Sequence, residues 1–197
     1  IVVAPGANNQ LTEGAIEADN FAAVRFVLAQ LETPLSTIIK AARLAREKGI
    51  VFILDPAPAR ALPRELLTLV DWLTPNESEA AALLGLKGLG DPLGAAKNLK
   101  ALGPRGVVLK LGQAGAVLLE DDAPVLIPAH KVEAVDTTAA GDAFNGAFAV
   151  ALSEGKSPAE AVSFAAAAAA ISVTRHGAQP AMASRTEIDA FLSSRRN

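Results

Sequence analysis

Short unbroken apolar runs alternate along this chain with longer stretches in which apolar residues recur at helical spacing. Val24 to Leu28 is apolar and partly β-branched and reads as a strand, while Ile50 to Leu54 and Gly106 to Leu111 are continuous apolar runs, the pattern of strands buried on both faces. Trp72-Leu73-Thr74 is a shorter strand, ended by Pro75-Asn76. Between them, Ser36 to Lys48, Pro63 to Val70, Glu77 to Leu84 and Leu93 to Leu102 read as helices, the first closing at Gly49. After Gly112-Gln113-Ala114-Gly115, a tight turn, Ala116 to Leu119 and Val125 to Ile127 read as strands joined by the acidic turn Glu120-Asp121-Asp122. Three helical segments follow: Ala143 to Leu152, Pro158 to Val173 with its run Ala165 to Ala170, and Arg185 to Arg195, for which Thr186 is a candidate cap. Repeated strand–helix units predict an α/β fold, a mostly parallel sheet flanked by helices. With no internal repeat and no low-complexity linker, residues 1–197 read as one domain.

Composition narrows the chemistry. The chain has 197 residues, 51% hydrophobic and only 4% aromatic, so its core is built mainly of Ala, Leu, Val and Ile. A net charge of −3 and the lack of a basic stripe argue against nucleic acid. Without cysteine there are no disulfides and no thiolate metal ligands. No apolar stretch is long enough for a membrane helix, and no basic segment precedes an apolar one at the N-terminus. The chain opens on Ile1-Val2-Val3, a strand-like run without an initiator Met, as expected of a piece of something longer. His130 and His176 have no metal-site spacing and read as surface or loop residues.

In open α/β sheets ligands bind at the carboxyl ends of strands. The polar clusters at Asp55, Asn76, Gly112 and Asp136 each follow a strand and are expected to converge on one sheet edge. The most informative is Asp136-Thr137-Thr138-Ala139-Ala140-Gly141-Asp142-Ala143-Phe144-Asn145-Gly146, a polar turn of small residues that runs into an apolar helix. Asp142 falls at or near the helix N-terminus, where unpaired backbone N–H groups and the helix dipole attract an anion. A carboxylate beside such an anion suits a general base that deprotonates a hydroxyl attacking a phosphoryl group. It equally suits a plain first-turn acid that stabilises the helix. Asn76-Glu77-Ser78-Glu79 is likewise either a capping box or part of a site.

The Asp136–Gly146 string resembles the signature of the ribokinase-like sugar kinases, the phosphofructokinase B family. Gly6-Ala7-Asn8, Gln30-Leu31-Glu32-Thr33-Pro34, Asp55-Pro56-Ala57-Pro58-Ala59, the Asn76–Glu79 tetrapeptide and Arg175-His176-Gly177-Ala178-Gln179-Pro180 extend the resemblance over nearly the whole chain, and favour the ribokinase branch. The resemblance implies a three-layer α/β fold with a small β lid, and transfer of phosphate from ATP to the 5-hydroxyl of ribose, with other sugar or nucleoside kinases as the near alternative and a nucleotide-binding fragment as the further one. It implies Asp142 as base and sugar contact, and Ala139, Ala140 and Gly141 as the anion hole. Nucleotide contacts would come from Asn76, Lys110, Leu111, Gly112, Gln113, Ala114, Gly115, Gly141 and Asp142, and a further sugar contact from Glu32. Glu79 would hold Mg²⁺ through water. Asp136, Thr138, Ser172, Arg175, Gly177 and Ala181 would hold K⁺, largely by backbone carbonyls.

The chain departs from the family pattern at three positions: Lys110 stands where Thr is common, Ala166 where Asn or His is, and Ala181 where Ser is. Family members run to about 300 residues, of which this chain matches the last two-thirds. The expected consequences are an apolar sheet edge left exposed, most sugar contacts and much of the lid missing, and little ribose kinase activity from the 197 residues alone. A cytoplasmic enzyme, homodimeric at full length, completes the expectation.

Overall fold

The computed structural model describes residue 4 and residues 6–195, so the strand-like run at Ile1–Val3 lies outside the described residues. The chain divides into two compact units, Ile1–Leu109 with Leu119–Pro124, and Lys110–Leu118 with Val125–Asn197.

The first unit is a strand–helix alternation. Its elements are β1 (Phe26–Ala29), α1 (Leu35–Glu47), β2 (Val51–Leu54), α2 (Arg64–Leu67), β3 (Trp72–Leu73), α3 (Glu77–Leu83), α4 (Pro92–Ala101) and β4 (Gly106–Lys110). β1 to β4 pair in parallel, with Leu28 opposite Ile53, Leu54 opposite Leu73 and Trp72 opposite Gly106. Phe52, Leu54, Leu73, Val107, Val108 and Leu109 are wholly buried, as continuous apolar runs require in a sheet covered by helices. Position 106 has to be glycine: a Cβ there would stand 2.4 Å from the Trp72 ring. α1 ends where Gly49 takes φ +67°, as its position in the sequence predicts. α2 is only one turn long, shorter than expected. Three short 3₁₀ turns before β1, Gly6–Gln10, Glu13–Ala15 and Ala18–Phe21, had no periodic signal. Among the described residues β1 pairs with β2 only, and its Leu28 is 44% exposed.

The second unit holds the antiparallel pair β5 (Ala116–Leu119) and β6 (Val125–Ile127), followed by α5 (Ala140–Ser153), α6 (Pro158–Ser172) and α7 (Arg185–Ser194). The Ala run of α6 is buried at Ala165, Ala167, Ala168 and Ala170; α5 packs along α6, with Phe144 and Phe148 stacked and buried. α7 begins one residue after Ser184, which forms a capping box with Glu187; Thr186 lies inside the helix and is not its cap. Among the described residues six strands, mostly parallel and flanked by helices, give the predicted α/β class. Among the described residues no helix is long and apolar enough to cross a membrane.

Candidate active site

α5 begins at Ala140, earlier than the apolar period indicated, and Asp142 is an exposed residue of its first turn. The residue before it, Ala139, adopts φ +58°, the only positive φ outside glycine among the described residues. An L-residue there costs about 1–2 kcal/mol. A left-handed residue followed by helical ones is a backbone conformation of the kind that forms anion-binding concavities. No side chain caps this end. α3, α4, α6 and α7 are capped by Asn76, Asp91, Ser157 and Ser184. The first-turn N–H groups of α5 thus present a partial positive charge that no N-cap side chain takes up, with the Asp142 carboxylate in the same turn. Ala140 and Gly141 add almost no bulk above those amides.

Lys110, the last residue of β4, reaches this turn. A Cβ placed on Gly141 would lie 3.6 Å from its Nζ. Leu111 to Gly115 form the turn out of β4: Gly112, Gln113 and Ala114 make one exposed 3₁₀ turn, and the Leu111 N–H donates to the Gly115 carbonyl at 2.8 Å. Gly115, at φ +103°, leaves no room for a side chain, because a Cβ would stand 2.0 Å from the Ile127 carbonyl oxygen.

Asp136 ties the approach to α5 to the loop after α6. It accepts from the Thr138 N–H at 2.9 Å, the Thr138 hydroxyl at 2.6 Å and the Gly177 N–H at 2.9 Å. The Thr138 hydroxyl first, then the Gly177 and Thr138 amides, hold its carboxyl at a pKa of about 2. The Val135 and Asp136 N–H groups donate to the Val173 carbonyl. Three of the predicted cation ligands, Asp136, Thr138 and Gly177, are therefore adjacent. Side chains of two others point elsewhere: the Ser172 hydroxyl donates to the Ala169 carbonyl, and Arg175 pairs with Glu187 at 2.5 Å. Ala181 is buried, its N–H given to the Ala178 carbonyl. Asp136 brings one carboxylate, a hard oxygen donor of the type a hard cation takes, into this loop pair. Asp136 itself reaches its place through residues 128–135, which hold no helix or strand, and so does not stand at a strand end.

In the first unit, Asp55 and Asn76 do follow adjacent parallel strands, β2 and β3. Asn76 and Glu79 close on each other. The Asn76 N–H and Nδ2 donate to the two Glu79 carboxylate oxygens at 2.7 and 2.8 Å, and the Glu79 N–H returns a bond to Asn76 Oδ1 at 2.9 Å. Glu79 is 7% exposed. With both oxygens already accepting, its remaining lone pairs suit the hydrogens of a metal-bound water better than the metal itself. Glu32 is exposed in a loop held by two bonds, from Leu31 N–H to the Ala57 carbonyl at 2.7 Å and from Gln30 Nε2 to Asp55 Oδ2 at 3.2 Å. Among the described residues no group of three or more His, Asp or Glu side chains could hold a metal.

Several polar groups escaped the sequence reading. Asn145, a turn beyond Asp142 and only 5% exposed, has a buried Oδ1 without a partner, as do Arg60 Nε and Nη2 in the loop after β2. A lone Asn in an apolar helix was the available signal for the first. His130 is in a loop, as expected, but half-buried, with its ring edge-on to Phe191 at 5.1 Å; burial first, then the Arg195 charge, lowers its pKa. Asp142 also borders a cavity of about 510 Å³ lined by Ala143, Ala147, Phe164, Ala168 and Met182, which the sequence did not announce.

Comparison with known proteins agrees with this geometry. Residues 1–185 match the family model of the pfkB family carbohydrate kinases. The chain is 43% identical to the ribokinase of Haemophilus influenzae, over 98% of this chain and 64% of that protein. Its fold superposes on the crystal structure of ribokinase from Thermotoga maritima with a TM-score of 0.90 at 44% identity, covering 98% of this chain and 64% of that one. The Arabidopsis thaliana ribokinase solved with ribose and ATP gives 0.89 at 36% identity, over 97% and 64%. The chain thus spans somewhat less than two-thirds of the length of these relatives. A signature that places Asp142 on an uncapped helix end, a ribokinase-like α/β fold and a family match over nearly all its length agree: this chain belongs to the pfkB family of carbohydrate kinases.

Proposed function

We propose that this chain is the nucleotide- and phosphate-binding part of an ATP-dependent ribokinase, a single catalytic domain in which Asp142 is the general base. The observation that carries the reading is the uncapped first turn of α5 with Asp142 inside it. The ribose 5-hydroxyl gives its proton to the Asp142 carboxylate as its oxygen bonds to the γ-phosphorus. The bond from that phosphorus to the β–γ bridging oxygen breaks, and its electron pair leaves on ADP. Backbone amides over Ala139, Ala140 and Gly141 stabilise the charge on the transferred group. Asn76 and the turn from Lys110 to Gly115 contact the nucleotide, and Glu32 contacts the sugar.

Mg²⁺, held through water by Glu79, neutralises phosphate charge when bound. K⁺ belongs between Asp136, Thr138, Ser172, Arg175, Gly177 and Ala181, where the Asp136 bonds to Thr138 and Gly177 already fix the loop around it. Two close relatives are ribokinases, one of them solved with ribose and ATP, which supports this substrate pair over sibling sugar kinases. The full-length protein is read as a cytoplasmic homodimer.

Replacing Asp142 by Asn in the full-length protein is expected to lower kcat by about 10²–10⁴-fold, with MgATP affinity retained. An Asn variant of undiminished kcat would remove the base assignment. The share of relatives' length that this chain covers favours one other reading, a fragment that binds nucleotide without catalysis. Calorimetry on the 197 residues with MgATP, with and without ribose, separates the two: heat from MgATP that ribose leaves unchanged supports the fragment.

A further inference from the structure

We propose that His130 is an acid-sensitive anchor for the loop that runs from the nucleotide-side turn to Asp136: with its ring neutral it holds that loop against α6 and α7, and protonation of the ring loosens the loop and weakens MgATP binding. The proposal rests on the kinase reading above for its ligand, while the anchor itself rests on packing within the second unit.

Residues 128–135 hold no helix or strand, so the course of this loop depends on what it touches. At its start the backbone closes on Gly115, the last residue of the turn out of β4: a Cβ on Gly115 would stand 2.7 Å from the Ala129 nitrogen. At its end the Val135 and Asp136 N–H groups donate to the Val173 carbonyl. Between these ends His130 packs edge-on to Phe191 of α7 at 5.1 Å, and its ring hydrogen-bonds the Ser163 backbone of α6. The Arg195 guanidinium covers the same Phe191 ring at 4.6 Å and donates to the Lys131 carbonyl at 3.1 Å. The bond to Ser163 uses one ring nitrogen; the other, Nε2, is buried and has no partner. A neutral ring tolerates this, because a bare Nε2 is only an unused acceptor. A charged ring would carry an N–H there with nothing to accept it, and a second positive charge beside Arg195. The acids on these helices are engaged elsewhere: Glu160 with Ser157, Glu187 with Arg175 and Ser184, Asp189 with Arg185. Lys131 and Glu133 of the loop itself are exposed. Burial first, then Arg195, therefore holds the ring's pKa below its ordinary value. The unfolded chain takes up this proton near pH 6.5, so the stability given by the neutral ring is present above about that pH and is lost as pH falls from there toward the lowered value.

The test uses full-length protein with His130→Phe and Arg195→Gln, followed by thermal unfolding and by calorimetry with MgATP at about pH 7.5 and about pH 5.5, either side of the ordinary histidine value. In the unmodified protein the unfolding temperature falls and the MgATP dissociation constant rises several-fold between the two. His130→Phe keeps a ring against Phe191 that cannot be protonated. It matches the unmodified affinity at the higher pH and shows smaller losses at the lower pH in both measurements. Arg195→Gln keeps a donor for the Lys131 carbonyl and removes the charge. Its acid losses are also smaller, and it decides the matter if His130→Phe does not fold. Acid losses in the variants equal to those of the unmodified protein would overturn the proposal. So would variants that flatten the stability change while the MgATP dissociation constant follows pH as before, because His130 would then hold the loop without reaching the nucleotide side. Failure of the kinase reading looks different: no MgATP binding at either pH, with the unfolding temperature still responding to pH and to His130→Phe.

Discussion

The N-termini of α3 and α5 carry an acid at the same position, Glu79 and Asp142, each the third residue of its helix, and the structure treats them in opposite ways. At α3 the acid folds back. Asn76 and Glu79 exchange hydrogen bonds, the carboxylate is buried, and the helix end is finished by its own residues. At α5 the acid stays exposed, the residue before the helix is a left-handed Ala with no side chain to offer, and the end is left open. A capping box is worth about 1 kcal/mol to a helix. α5 forgoes that gain and carries the strain of Ala139 as well. α1 and α2 also begin without a side-chain cap, at Pro34 and Pro63, so the strained left-handed Ala139 is what sets the start of α5 apart.

Filling the open end is the largest way to break the contrast. Gly141→Ala puts a methyl group 3.6 Å from Lys110 Nζ, an ordinary contact, in a helical residue without positive φ. Thermal unfolding is expected to show a gain of about 0.5–1 kcal/mol from helix propensity. MgATP affinity and kcat/KM of the full-length protein are expected to fall by about 10-fold or more as the anion is pushed off the amides. A stabilised variant with unchanged kinetics would show that nothing is seated there.

Opening the closed end is the next test. Glu79→Ala leaves the Asn76 N–H without its acceptor, and a loss of about 1–3 kcal/mol is expected in denaturant unfolding. If stability does not move, the box is not what finishes α3.

The smallest effect concerns the tether that prepares α5. Asp136 is held at a pKa of about 2, below the carboxylate value of the unfolded chain. Its stabilisation is therefore complete above about pH 4 and is lost as pH falls from there toward about 2. Asp136→Asn should lower stability modestly at neutral pH and flatten the acid limb of the stability curve within that window, because the variant has no carboxylate left to protonate. An acid limb that is identical in the variant would assign the pH dependence to another carboxylate. Glu187, held at about 2 by Arg175 first and by Ser184, is the alternative.

Much of this was legible in the sequence. Strand and helix periods gave the regular elements from β1 onward to within a few residues, and Asn76-x-x-Glu79 announced its own box. The early start of α5 was not legible, since positive φ is normally signalled by Gly or Asn and here falls on Ala139. Ser184-x-x-Glu187 carried the same signal as the α3 box and was passed over for Thr186, because the apolar period of α7 is weak at that end. Arg60 and Asn145 look ordinary in sequence, and only packing shows that their polar atoms are buried without partners.

By itself, the sequence determined the alternation of strands and helices, the buried character of β2 and β4, and a string of small residues ending in an acid. These follow from local spacing, which side-chain periodicity reports directly. Only the tertiary structure decided which helix end would stay open and what would surround it. Asp136 takes the Gly177 N–H, 41 residues away, and Lys110 crosses to Gly141 from the end of a strand. Such contacts depend on where the folded backbone returns, and no local pattern encodes that.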